Sequence, residues 1–199
     1  MKYNSEKQHR RSLRLQGYDY AATGLYFITL CTYQQQCLFG EIVDGEVRLS
    51  DDGQVVSDEW MRSRNIRQEI DFDAWIIMPN HLHGIVIIQP SNLSIELSDR
   101  TTNNVGANGR SPLQETNQDR IIPPMKPRSL SSFVAGFKSA TTKRINLRRN
   151  APGTPVWQRN YYEHIIRDEG TLQAIRQYIL NNPLAWWQDE LHPDGRSQW

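Results

Sequence analysis

DFDAWIIMPNHLHGIVIIQ, residues 71–89, holds two apolar runs that meet at Pro79-Asn80. Both runs are rich in β-branched and aromatic residues, and Pro-Asn is turn chemistry, so the stretch reads as a hairpin or sharply bent strand pair. Residues two apart on a strand share a face, so His81 and His83 project side by side while Leu82 turns into the core. Upstream, GLYFITLCTY (24–33) reads as a buried strand, and EIVDGEVRL (41–49) as a hairpin turning at Asp44-Gly45. Ser50 then precedes a helix to about Asn65, with Val55, Val56, Trp60 and Met61 at helical spacing. Downstream, residues 89–128 are polar and rich in Gly, Pro, Ser and Asn without a sustained period, which predicts a long flexible insertion. Ser129 caps a helix of about twenty residues with Leu130, Phe133, Val134, Phe137 and Ile145 along one side. A short strand at 156–158, a segment YYEHIIRD (161–168) and a helix from about Thr171 to Asn182, stopped by Pro183, follow. This order predicts an α+β, ferredoxin-like antiparallel sheet with helices on one face. The expected organisation is one domain over 1–199, with the 89–128 insertion and a tail after 183.

The chain has 199 residues, 23 Lys+Arg against 22 Asp+Glu, and two Cys. That composition suits a soluble globular protein and excludes wholesale disorder. No apolar run reaches the eighteen or so residues of a membrane span, and the charged N-terminus lacks the apolar core of a signal peptide. Two cysteines cannot build a disulfide scaffold, so a reducing cytoplasm is expected. Charge is locally uneven. Residues 126–149 hold seven Lys/Arg and no Asp or Glu. With Arg10, Arg11 and Arg14 near the N-terminus, the cations Lys126, Arg128, Lys138, Lys143 and Arg144 are candidate contacts to the phosphates of a nucleic acid.

A second chemical group lies in TLQAIRQYILNNP (171–183). Leu172, Ile175 and Ile179 form the buried stripe of the helix, and Tyr178 and Asn182 sit one turn apart at its edge, about 40° from each other. A phenol and an amide are thus presented together. Combined with His81 and His83, they predict a divalent metal held by two imidazoles and the Asn182 carbonyl, with Tyr178 as nucleophile toward a nucleic-acid phosphodiester. Phosphate oxygens favour Mg²⁺ or Mn²⁺, the imidazoles tilt the choice toward Mn²⁺, and zinc stays open. Tyr161, Tyr162 and His164 read as packing or binding residues, and Trp186 and Trp187 as docking or base-stacking ones. Two other readings remain. One is a non-catalytic nucleic-acid-binding module on an RRM-like sheet, using Tyr26 or Phe27. The other is a hydrolase with water as nucleophile.

AWIIMPNHLHGIVII together with QAIRQYILNNP resembles the single-tyrosine HUH transposases of bacterial insertion sequences. RRSLRLQGYDYAATGLYFITLCTYQQQCLFGEI and VWQRNYYEHIIRDE resemble, more narrowly, the REP-associated tyrosine transposases. The resemblance covers most of residues 10–187 outside the insertion. It implies a ferredoxin-like fold and metal-dependent, sequence-specific cleavage and strand transfer on single-stranded DNA at hairpins or palindromic repeats. It makes His81 and His83 the paired histidines and Tyr178 the residue that links to the 5′ phosphate, leaving a 3′ hydroxyl. Asn182 stands where mobile relatives carry Gln as third metal ligand. The resemblance also implies a chromosomal, non-mobile bacterial protein, cytoplasmic at the nucleoid, acting as a monomer or homodimer without membrane partners.

Overall fold

A computed structural model describes residues 18–90 and 126–194. Its elements in chain order are β1 (Gly24–Cys31), the hairpin β2 (Gly40–Val43) and β3 (Glu46–Leu49), α1 (Asp51–Ile66), β4 (Ile70–Met78), β5 (His81–Ile88), α2 (Leu130–Arg148), β6 (Tyr162–Ile166) and α3 (Glu169–Asn181). Each helix starts where a side-chain oxygen caps a free N–H. Ser50 accepts from Gly53, Asp168 from Thr171, and Ser129 and Ser132 form a reciprocal capping box. The β2–β3 turn is carried by Asp44 and Gly45, both with positive φ (54° and 78°), the geometry a two-residue hairpin needs.

The main sheet has the order β4-β5-β1-β6, with every neighbouring pair antiparallel. Leaving aside the β2–β3 hairpin and α3, the chain runs β-α-β-β-α-β in the split arrangement of ferredoxin-like folds. Tyr26, Ile28 and Leu30 of β1 and Leu82, Val86 and Ile88 of β5 point to one face, where they pack with Trp60 of α1 and Phe133 and Phe137 of α2. The alternate residues Phe27 and Ile85 point to the other face and pack with Leu172 and Ile179 of α3. Helices on one face therefore describes α1 and α2; α3 lies across the opposite face, the one from which His81 and His83 project.

Residues 156–158 do not form a strand. Trp157 makes a single bridge to Thr32, and Pro155 offers no N–H to extend the ladder. The segment is held by two backbone bonds, Tyr33 N–H to the Val156 carbonyl (2.8 Å) and Gln158 N–H to the Cys31 carbonyl (2.9 Å), by Trp157 Nε1 donating to Thr141 Oγ1 (2.8 Å), and by the indole packing on Phe39. Helix α3 begins at Glu169 rather than Thr171, because Asp168 supplies the cap. Val56 and Trp60 are buried as the helical spacing predicts, whereas Met61 is exposed. Residues 91–125, the bulk of the expected insertion, and Arg10, Arg11 and Arg14 lie outside the described residues. No helix among the described residues is long and apolar enough to cross a membrane.

Gly84 faces α1, and a Cβ there would stand 2.7 Å from Trp60 Cζ2 and 2.9 Å from Cη2. The indole is fully buried and cannot swing away. Gly84→Ala is expected to destabilise the fold by about 1–3 kcal/mol through overpacking, read as a lower urea midpoint at unchanged m-value.

Candidate active site

The site forms where the start of β5 passes beneath α3. His81 and His83 are both buried, with ring centroids 4.4 Å apart. Asn80 orients the first. Its Nδ2 donates to the carbonyls of Gln35 (3.2 Å) and Leu191 (2.7 Å), so its Oδ1 is the atom left to accept from His81 Nδ1 (2.8 Å). The proton of His81 is thereby assigned to Nδ1, and Nε2 keeps a lone pair that is buried without a hydrogen-bond partner. His83 Nδ1 lies 2.8 Å from Thr29 Oγ1 and its Nε2 lies 3.2 Å from Tyr178 Oη. With Nδ1–H donating to Thr29, the phenol donates to Nε2, and both Nε2 atoms face one cleft.

Apolar packing and one ion pair seat α3 over this cleft. Leu172, Ile175 and Ile179 rest on the sheet as the sequence stripe predicts. Arg176 makes a two-pronged contact to Asp73 of β4, with Nε–Oδ1 at 2.9 Å and Nη2–Oδ2 at 2.6 Å. Tyr178 is 47% exposed, so its ring stands at the mouth of the cleft, edge-on to Phe27. Asn182, the C-cap of α3, is buried. Its Nδ2 donates to Asp189 Oδ2 (3.2 Å) and its Oδ1 is buried with no partner.

Asp189 is the member that the sequence reading missed. One ligand atom each from His81, His83 and Asp189 lies within 4.8 Å of the others. The acid sits in an irregular tail, where no period signals direction. That tail is held by the Asn80–Leu191 bond and by Trp186, which is buried 6.1 Å from the His81 ring and packs on His192. Of the two readings of Trp186, docking is the one realised, while Trp187 is exposed.

The donor set suits a hard or borderline divalent ion: two inward imidazole lone pairs, a carboxylate, and an amide oxygen that nothing else satisfies. Burial holds both imidazoles well below the ordinary histidine pKa, with the Asp189 charge partly offsetting this at His81 and His81 itself adding to it at His83. Burial and the Asp189 charge also raise the Tyr178 phenol, against a lowering contribution from Asn182. The resting tyrosine is therefore protonated at neutral pH.

The basic run is placed differently. Arg144 pairs with Glu59 (2.7 Å) and Asp58 (3.5 Å) of α1, Arg148 with Asp51 and Asp52, Arg149 with Asp52, and Lys126 with Asp19. Lys138 is half-buried, donates to the carbonyls of Gln158 and Asn160, and its pKa is pushed down to about 8 by desolvation. Arg128 lines a cavity of about 560 Å³ between α1 and α2. Lys143 makes no ion pair among the described residues. Lys138, Lys143, Arg144 and Arg148 are on α2 and Arg149 caps it, across the sheet from Tyr178. Tyr26 is fully buried, and Phe27 lies beneath Tyr178, so neither offers an open RRM-like surface.

No family model matches the sequence. A solved REP-associated tyrosine transposase bound to a REP hairpin aligns with a TM-score of 0.55 at 16% identity, covering 90% of this chain and 77% of that one. The two proteins share a fold. An uncharacterized protein of Haemophilus influenzae is 39% identical over 198 residues, 97% of this chain and 98% of its own length. This chain belongs to the same protein family as that Haemophilus protein.

The buried imidazoles predict a pH dependence. The unfolded chain protonates these histidines near pH 6.5, whereas the folded site resists protonation down to about 4 at His81. Their contribution to stability is complete above pH 6.5 and is lost as pH falls toward 4. The urea midpoint is expected to drop between pH 7 and pH 5, and to drop less in His83→Gln.

Proposed function

We propose that this chain is a metal-dependent, sequence-specific single-stranded DNA endonuclease and strand transferase of the REP-associated tyrosine transposase type. On this reading Tyr178 is the nucleophile, and His81, His83 and Asn182 hold a divalent metal with Asp189 beside them. The observation that carries the reading is Tyr178 Oη at 3.2 Å from His83 Nε2, next to the unpartnered Nε2 of His81. The fold shared with a transposase that was solved on a REP hairpin supports hairpin or palindromic DNA as substrate. Such a substrate places the protein in the bacterial cytoplasm, at the nucleoid. Every group of the site belongs to one chain, which supports action as a monomer, with a homodimer as the alternative.

Tyr178 Oη attacks the phosphorus of a phosphodiester and the bond to the 3′ oxygen breaks. The phenolic proton leaves Tyr178, and the departing oxygen gains one. The products are a 5′-phosphotyrosyl ester and a 3′ hydroxyl, and the ester conserves the energy needed for rejoining. A divalent ion, Mg²⁺ or Mn²⁺, would polarise the phosphate and offset charge that builds in the transition state. Asn80 and Thr29 keep the imidazole lone pairs aimed at the cleft, and Arg176 with Asp73 keeps α3 seated above it.

Incubation with end-labelled hairpin DNA and Mn²⁺ is expected to yield a covalent protein–DNA adduct that is absent with EDTA and absent in Tyr178→Phe. An adduct that persists in Tyr178→Phe rejects this nucleophile, and cleavage without any adduct favours water. Metal affinity supplies an independent check. The phenol occupies the His83 lone pair in the resting site, so Tyr178→Phe is expected to bind Mn²⁺ more tightly, while Asp189→Asn weakens binding by roughly tenfold or more, read by electron paramagnetic resonance of free Mn²⁺.

A further inference from the structure

The face that carries Tyr178 is only partly covered by α3, and its open side ends at β6, an edge strand. Strand register decides what stands there. Ile76 pairs with His83, His83 with Thr29, and Thr29 with Tyr162, so these four side chains form one row on one face. Two strand spacings put the Tyr162 backbone about 10 Å from that of His83. The Tyr162 ring is 46% exposed and stands edge-on to Phe27, with centroids 6.1 Å apart. Phe27 in turn stacks on His83 and meets Tyr178 edge-on at 6.1 Å. Tyr162 and Tyr178 thus flank one buried phenylalanine, and both rings are open to solvent.

Charge is available along the same strand. Arg159 precedes β6 and Arg167 follows it; both are exposed, and neither forms an ion pair among the described residues. His164, the next residue on the Tyr162 face, is exposed as well. Of the adjoining acids, Asp168 caps α3 through Thr171, and Glu169 accepts from Gln173. This contrasts with α2, where Arg144, Arg148 and Arg149 are held by acids of α1.

We propose that β6 is the track for single-stranded DNA, with Tyr162 stacking on a base of the strand whose phosphate reaches Tyr178, and with Arg159 and Arg167 contacting flanking phosphates. The assignment rests on the single-stranded DNA reading above and adds a base-stacking residue to it. Tyr162 touches a base and takes no part in bond breaking. Aromatic stacking tolerates any base and is worth about 1–3 kcal/mol per base, so its removal weakens binding about tenfold or more. Each phosphate contact adds about 0.7 to the slope of affinity against salt.

The test measures binding in EDTA, which separates it from catalysis. The probe is single-stranded oligothymidylate carrying one 2-aminopurine, titrated by fluorescence over a range of salt concentrations. Tyr162→Ala is expected to bind about tenfold more weakly and to lose the quenching of 2-aminopurine, while Tyr162→Phe keeps both. Arg159→Ala with Arg167→Ala should lower the salt slope, and Arg144→Ala should leave it unchanged. Wild-type affinity in Tyr162→Ala, or a loss confined to Arg144→Ala, overturns the track and leaves the endonuclease reading standing. Failure of the wild-type protein to bind the oligonucleotide overturns the track, and failure to bind hairpin DNA as well overturns the endonuclease reading.

Discussion

The three hydrogen bonds of the Asn80 side chain are the interaction on which the site depends. Two of them go to backbone carbonyls from distant parts of the chain, Gln35 before the hairpin and Leu191 in the tail. The third fixes the tautomer of His81. One amide therefore ties the turn between β4 and β5 to the segment before the hairpin, anchors the segment that contains Asp189, and aims an imidazole lone pair into the cleft. A buried amide with all three bonds made contributes structure, whereas one with a partner missing costs the desolvation of the orphaned groups. Substituting Asn80 removes these constraints together.

The fold was legible because its decisive signals are local. The two-residue alternation in HLHGIVII, the turn at Pro79-Asn80 and the serine caps at Ser50 and Ser129 each specify their element without reference to the rest of the chain. The pairing of His81 and His83, and the edge position of Tyr178, follow from the same periodicities. Asp189 was not legible, because a residue in an irregular tail has no periodic face. Its approach to the histidines is set by Asn80–Leu191 and by the burial of Trp186. The strand expected at 156–158 shrinks to one bridge: backbone bonds from Tyr33 to Val156 and from Gln158 to Cys31 flank it, and the Trp157 side chain adds its bond to Thr141.

Part of the basic run is taken up inside the fold. Seven cations without an acid suggest a surface that seeks anions. In three dimensions α1 lies alongside α2 and supplies Asp51, Asp52, Asp58 and Glu59. Asp52 and Glu59 are nearly buried, so these pairs are partly shielded from water and join the two helices. Arg159 and Arg167, isolated in the sequence, also make no ion pair among the described residues, and the pairing of β6 with β1 sets them beside the tyrosine face.

The two described stretches of chain meet residues 91–125 at places remote from the cleft. Gln89 donates its N–H to the carbonyl of Glu69 at the far end of β5 from His81. Eight residues of strand separate the two ends, a span of about 25 Å. The chain returns at Lys126 to start α2, on the face turned away from Tyr178. A label or fusion joined at Gln89 or at Lys126 is therefore attached at the end of the sheet opposite the histidines, and leaves the mouth of the cleft clear at its point of attachment.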